Sequence, residues 1–322
     1  MQSNIYIELL VKAATYKSPE EIPAQVGILP AVFIKYGDAV KKLMEKYPEL
    51  YFGVNKDFDP AIHTPLSYHV GQFTDDWGCV WSNTEEGMES IVTNHPLPTR
   101  ESIHTMKVPE GDTGLPHGFM YLRLLDLRGF EEMMIDFAEE PPELQILIDK
   151  VMHYNLTQVE RALENNTGQI MVFGDDQGMQ NGLAIGAEKW RKYLKPCFTT
   201  LYKPCLEAGK LIYMHTDGCI WEIIGDLAEC GVTIVNPQFR ANGLDNLVRV
   251  CKGRYAIHLD LDRQLFPFAS HGELRDHVME CVEALYLPEG GLGLNLEISP
   301  DVPLDSMDVL FDALNKARKF KK

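Results

Sequence analysis

Short apolar runs alternate with longer amphipathic stretches through the last two thirds of the chain, and each apolar run ends on polar groups. The runs are Gln169–Gly174, Leu211–His215, Val232–Asn236, Tyr255–Asp260 and Leu292–Glu297, rich in aliphatic and aromatic residues and short enough for buried strands. Between them, Ala187–Glu207, Trp221–Cys230, Gly243–Cys251 and Glu273–Tyr286 carry a helical period. Strands alternating with helices predict parallel βαβ units. Toward the N-terminus the pattern is weaker. Ile22–Ile28, Leu50–Val54 and His117–Leu124 are the further candidate strands, with a helix over Val32–Lys46 and a long excursion from about Asn55 to Gly114. These three and the five above make eight, which predicts an α/β fold of the (β/α)8 TIM-barrel type. The expected organisation is a single domain over 1–322 with a long insertion, 55–116, in its N-terminal half.

Such a barrel places chemistry at the carboxyl ends of its strands. That is where Asp175-Asp176, His215-Thr216-Asp217, Asn236-Pro237-Gln238, Asp260 and Glu297 fall. The insertion contains Asp75-Asp76-Trp77-Gly78-Cys79-Val80-Trp81, then His95-Pro96-Leu97-Pro98 after an expected hairpin. Long insertions between barrel strands often form lids or binding walls. Trp77 and Trp81 are therefore candidates for substrate contact, as are Asn236 and Gln238 at their strand end; the competing role for the two tryptophans is to anchor the insertion.

Composition narrows the function classes. The 322 residues are 45% hydrophobic and 24% charged, enough apolar content for a sizeable core. Thirty basic against 47 acidic residues leave a net charge of −17, which argues against a nucleic-acid or anionic-membrane partner. No signal peptide or membrane span is expected from the pattern, and the seven cysteines form no C-x-x-C pair. Free thiols in a cytoplasmic protein are the simplest expectation.

The sharpest local feature is Tyr213-Met214-His215-Thr216-Asp217-Gly218. His215 and Asp217 are two apart at a strand end, so their side chains point to the same side. Together they suit zinc ligation or general acid–base work, although a hydrogen-bonded structural histidine would give the same pattern. Of Asp175 and Asp176, one is expected to point into the barrel mouth and the other to cap a helix near Ala187 or close the turn. Asp176 is the candidate catalytic member. Glu297, in the final strand, is a further candidate ligand beside His215 and Asp217; an oxygen- and nitrogen-rich set of this kind suits zinc or another borderline divalent ion. Walker A, G-x-G-x-x-G, G-x-S-x-G and H-E-x-x-H patterns do not occur. His258 reads as a core residue.

From about Ile22 to Ala317 the chain resembles the uroporphyrinogen decarboxylase superfamily, in particular its corrinoid-dependent methyltransferase branch. The carrying stretches are Asp76–Trp81, Leu127-Arg128-Gly129-Phe130-Glu131, Gly174–Gly178, His215–Gly218, Gly231-Val232 with Asn236-Pro237, and Pro300–Leu304, in that order. The porphyrinogen decarboxylases carry an N-terminal M-R-Q-A-G-R segment whose arginines hold substrate carboxylates. Here Pro23–Lys35 reads PAQVGILPAVFIK, so tetrapyrrole decarboxylation is not expected.

What the resemblance implies is methyl transfer. Thiol-methylating members of the branch carry H-x-C and a later cysteine around zinc, whereas this chain has His215 with Asp217, and Leu296-Glu297 where the second cysteine would fall. The H-x-D-G version is similar to the O-demethylase methyltransferases, which move a methyl group from a methoxylated aromatic to a corrinoid protein. Zinc held by His215 with Asp217 and Glu297, and Asp176 as an acid or base, would be the catalytic set. The corrinoid would arrive on a separate partner protein, since no D-x-H-x-x-G sequence occurs. A homodimer is a further expectation. The alternatives are another donor of the same branch, such as a methylamine, thiol or halomethane, another methyl acceptor, or a non-catalytic ligand-binding barrel.

Overall fold

The structure, a computed structural model, describes residues 2–51 and 58–321. Six strands form a parallel sheet: β1 (Ala24–Ile28), β5 (Ile170–Gly174), β6 (Leu211–Thr216), β7 (Ile234–Pro237), β8 (Ala256–Asp260) and β9 (Leu292–Ile298). Three more, β2 (Gly71–Thr74), β3 (Val80–Asn83) and β4 (Ile91–Asn94), form a second sheet inside the expected insertion, with β3 and β4 antiparallel. The order of the larger sheet is β1-β9-β8-β7-β6-β5, so from β5 to β9 each strand lies beside its successor, as repeated βα units dictate. All five C-terminal strands fall on the apolar runs expected for them. β6 to β9 are buried almost throughout, as a sheet covered on its faces requires, whereas β5, at the edge of the sheet order, buries Met171 and Phe173 and exposes Val172.

The chain divides into two compact units. One comprises Met1–Val70, Asn83–Ser90 and Asn236–Lys322, and the other Gly71–Ser82 and Ile91–Val235. In the first unit β1 pairs with β9 from Ala24↔Leu294 to Ile28↔Ile298, and β8 pairs with β9 from Ile257↔Leu292. The helices His271–Leu285 and Leu304–Ala317 pack on one another there; the former starts at a capping box in which Ser270 and Glu273 satisfy each other's backbone. His258 is fully buried in this core, its Nε2 beside the Leu294 carbonyl and the Tyr6 hydroxyl. In the second unit β5 and β6 pair from Ile170↔Leu211 to Gly174↔His215. Phe173 and Phe119 pack on the aromatic face of the helix Lys195–Glu207, whose Phe198 and Tyr202 are fully buried.

The sheet has six strands among the described residues rather than eight, and two expectations account for the difference. His117–Leu124 is a turn followed by the helix Tyr121–Arg128. Its apolar Phe119–Leu122 run suits either element. The outcome is decided by Asp175, whose carboxylate accepts hydrogen bonds from the backbone N–H groups of Tyr121 and Leu122 at 2.6 and 3.0 Å. Those are orphan donors of a helix's first turn, satisfied from 54 residues away. Of Leu50–Val54, Leu50 closes a short 3-10 turn and the rest lies largely outside the described residues. The helix expected over Val32–Lys46 is two helices, Pro30–Tyr36 and Asp38–Lys46, parted at Gly37 with φ 49°. Among the described residues no helix is long and apolar enough to cross a membrane.

Candidate functional site

At the carboxyl ends of β5 and β6 the chain runs into two polar segments, Asp175–Gly178 and Thr216–Gly218, held against each other. Asp175 N–H donates to the His215 carbonyl at 3.0 Å, continuing the ladder by one residue. Gln177 N–H donates to the Thr216 hydroxyl at 2.9 Å, and the Gln177 side chain accepts from the Trp190 indole N–H at 2.8 Å. Gly178 N–H then donates to the Asp217 carbonyl at 3.1 Å. The two glycines make this approach feasible. Gly218 has φ 83°, and a Cβ there would stand 2.2 Å from the Gly178 carbonyl.

Asp175 and Asp176 are adjacent in the chain and diverge in role, as two successive residues of extended backbone must. Asp175 is fully buried; burial pushes its carboxyl up to about 6, against the opposing effect of the Leu122 and Tyr121 N–H groups. It is the structural member, but it starts the helix Tyr121–Arg128 rather than one near Ala187. Asp176 faces the other way. Its Oδ2 accepts from His117 Nε2–H at 3.1 Å and its Oδ1 from Asp217 N–H at 2.8 Å. Burial raises the Asp176 carboxyl, but the hydrogen bond and charge of His117, the Asp217 N–H and nearby His215 outweigh it and hold the group below the ordinary carboxylate range.

His215 completes the cluster. Its Nε2 lies 3.4 Å from Asp217 Oδ1 and 3.9 Å from Asp176 Oδ1. The His215 and His117 rings are 5.5 Å apart at 54°. One donor atom each from His117, Asp176 and His215 lie within 4.8 Å of one another, the spacing at which a single cation can take all three. His117 is the member that sequence reasoning missed. It sits in a turn between Pro116 and Gly118, and Gly118 N–H bonds the Gly174 carbonyl at 2.8 Å, which brings the imidazole over the end of β5. Gly174 leaves it room, since a Cβ there would meet His117 Nδ1 at 2.6 Å. The available signal was a histidine flanked by two turn formers just before an apolar run.

The other expected site residues are placed as follows. Trp77 is buried, its ring edge-on to Tyr154 at 4.8 Å and beneath the Arg123 guanidinium at 5.7 Å. Trp81 is half-buried, stacked on Phe73 at 6.1 Å, with its indole N–H on Asp75 Oδ2 at 3.0 Å. Asp75 is the hub of this segment, accepting also from Trp77 N–H, Cys79 N–H and Arg123 at 2.7–3.0 Å. Asn236 and Gln238 belong to the first unit. Asn236 donates to the His258 carbonyl and to Asp260 Oδ1 at 2.6 and 2.8 Å, and Gln238 bridges the backbone at Asp260. Glu297 also belongs to that unit, where Arg263 Nη1 pairs with its carboxylate.

Two imidazole nitrogens and a carboxylate form a donor set suited to zinc or a similar borderline ion. No cysteine is among those donors, and all seven cysteines are buried free thiols. The family model described as uroporphyrinogen decarboxylase (URO-D) matches residues 123–317. A comparison with curated protein sequences finds no match. Among solved structures, the chain is similar to a methyltransferase from Methanosarcina mazei, with a TM-score of 0.64 at 16% identity over 96% of this chain and 98% of that one. At that identity the likeness concerns the fold.

Proposed function

Because the chain belongs to the uroporphyrinogen decarboxylase (URO-D) family, we propose that it is a methyltransferase of that fold, moving a methyl group from a methoxylated aromatic to the Co(I) corrinoid of a partner protein. The reading takes the parallel sheet as part of a (β/α)8 barrel, with the cluster at its mouth. The observation that carries it is the thiolate-free donor set His117, Asp176 and His215, with the Asp217 carboxylate 3.4 Å from His215. Thiol activation by zinc favours thiolate ligands, whereas nitrogen and carboxylate donors leave an ion more acidic toward an ether oxygen.

An aryl methyl ether is a poor electrophile because its leaving group is a basic phenolate. In the net reaction the CH3–O bond breaks, a CH3–Co bond forms with both electrons from Co(I), and the phenolate oxygen gains a proton. Zinc bound by His215, His117 and Asp176 or Asp217 would supply Lewis acidity at that oxygen. The chain's own groups do the rest. Before an ion enters, Asp176 orients the His117 ring toward the site and holds the Asp217 backbone, so one carboxylate braces both flanks. The interlocked Gly178 and Gly218 turns keep His215 and Asp217 in one orientation. In this proposal Trp81 contacts the substrate and Trp77 steadies the wall that bears it.

The test is to mix the protein with Co(I) cobalamin, then with a corrinoid protein, and follow loss of the Co(I) band as methoxylated aromatics are added. Methylcobalamin formation from guaiacol- or vanillate-like ethers is expected, and His215→Ala should abolish both zinc content and transfer. Transfer from methylamines or thiols but not ethers would overturn the substrate assignment. Full metal content and activity in His215→Ala would overturn the site.

A further inference from the structure

A cavity of about 590 Å³ opens in the unit that carries the donor cluster, and it shares no lining residue with that cluster. One wall is a continuous face of the long helix Pro142–Asn165, presenting Ile146, Lys150, His153, Tyr154 and Arg161 at helical spacing. The opposite wall is the loop through Val108, Pro109 and Gly111. The volume lies within the range of small-molecule sites.

The loop is tied to the helix at several points, which makes the cavity a built feature rather than a gap between loose segments. Lys150 Nζ donates to the carbonyls of Ile103, Met106 and His104 at 2.7, 3.1 and 3.4 Å. Gln158 grips both sides of the loop, donating to the Gly111 carbonyl and accepting from Thr113 N–H, each at 3.1 Å. The Tyr154 hydroxyl is hydrogen-bonded to the Thr113 hydroxyl.

Two side chains of the lining keep nitrogen atoms uncommitted among the described residues. Among the described residues Arg161 commits only Nη1, to the Gly111 carbonyl, which leaves its Nε–H and Nη2 donors on a half-buried side chain. His153 commits Nδ1–H to the Asp149 carbonyl at 2.6 Å, and its Nε2 is available. Against Lys150 and Arg161 the lining sets a single carboxylate, Asp149, whose Oδ1 accepts from Gln145. A locally positive cleft in a chain of net charge −17 selects anions, because the field elsewhere repels them. A guanidinium with two adjacent free donors matches a carboxylate. Ile146, Val108 and Pro109 offer an apolar surface for a flat body.

We propose that this cleft is a binding site for a small monocarboxylate with an apolar ring, gripped by Arg161. The assignment does not depend on the methyl-transfer reading.

The test is calorimetric titration of the full chain with benzoate and with uncharged benzamide. Benzoate should bind with benzamide at least about tenfold weaker, and Arg161→Gln should weaken benzoate by about tenfold or more. Removing the lone carboxylate with Asp149→Asn should tighten benzoate about threefold. His215→Ala should leave benzoate affinity unchanged, which separates this cleft from the cluster whatever reaction the cluster performs. Absence of binding at about 10 mM benzoate would overturn the proposal. So would equal affinity in Arg161→Gln, unchanged affinity in Asp149→Asn, or loss of binding in His215→Ala. Should Arg161→Gln fail to fold, the direction of the Asp149→Asn change decides.

Discussion

His277 gives the fold a defined acid sensitivity. Its ring is buried on the helix His271–Leu285, edge-on to Phe239 at 4.6 Å, and its Nε2 accepts the Asp262 backbone N–H at 3.0 Å. An imidazolium has no acceptor nitrogen, so protonation must break that bond and set two N–H groups against each other. Burial drives the pKa down to about 4, with Arg240 adding to the effect and Asp262 opposing it. In the unfolded chain the ring titrates near its ordinary value of about 6.5. The sign follows from proton binding. Below about 6.5 the unfolded state binds the proton and the folded state does not, so stability falls as pH drops and levels off once the folded pKa near 4 is passed. Between pH 7 and 4.5 this single group costs about 2–3 kcal/mol, and little more at lower pH. The perturbation is His277→Gln, whose amide oxygen can accept the Asp262 N–H without titrating. Urea unfolding of both proteins across that range should show their stability difference shifting by about 2–3 kcal/mol in favour of the variant as pH falls. Taking the difference cancels the carboxylates that titrate over the same interval. Parallel curves for the two proteins would refute the reasoning.

Other perturbations probe separate parts of the structure. His258 sits in the same unit with its pKa also lowered to about 4 by burial, so acid should destabilise through it independently, and His258→Gln combined with His277→Gln should flatten the urea-midpoint profile further than either alone. Asp136 is fully buried between Arg128 Nε at 2.9 Å and Arg100 Nε at 2.7 Å; Asp136→Ala should cost about 3–5 kcal/mol in chemical denaturation, because Arg128 is left buried with its partner gone. Gly218→Ala should cost about 1–3 kcal/mol by thermal melting and sharply reduce zinc uptake, since the added methyl collides with the Gly178 carbonyl beside the donor cluster. His117→Ala should weaken zinc binding by about tenfold or more in a competitive chelator titration while the melting temperature stays within a few degrees of the parent.

The extent to which this site can be read from sequence depends on how far apart its partners lie along the chain. His215 and Asp217 are two apart on a strand, so the period of the strand alone places them on one side, and the structure sets them 3.4 Å apart. The apolar runs from Gln169 onward were legible for the same local reason: each is a mainly apolar strand that leads into polar residues at its carboxyl end. His117 was not legible, because its partner Asp176 is 59 residues away and its approach depends on a missing side chain at Gly174. The segment after it was misassigned for a related reason. Phe119–Leu122 is apolar enough for a strand, and what makes it helical is the Asp175 carboxylate reached only in the folded chain. The tryptophan segment shows the same limit, since the pattern marks two indoles while Asp75 decides their places by binding four donors at once. Asp175 and Asp176 thus join two functions that neighbouring residues of extended chain can perform together. One carboxylate points into the core and starts the helix that follows His117, and the other points outward and holds His117 itself. A change at either position should therefore register at the same imidazole, through the backbone in one case and through a direct hydrogen bond in the other.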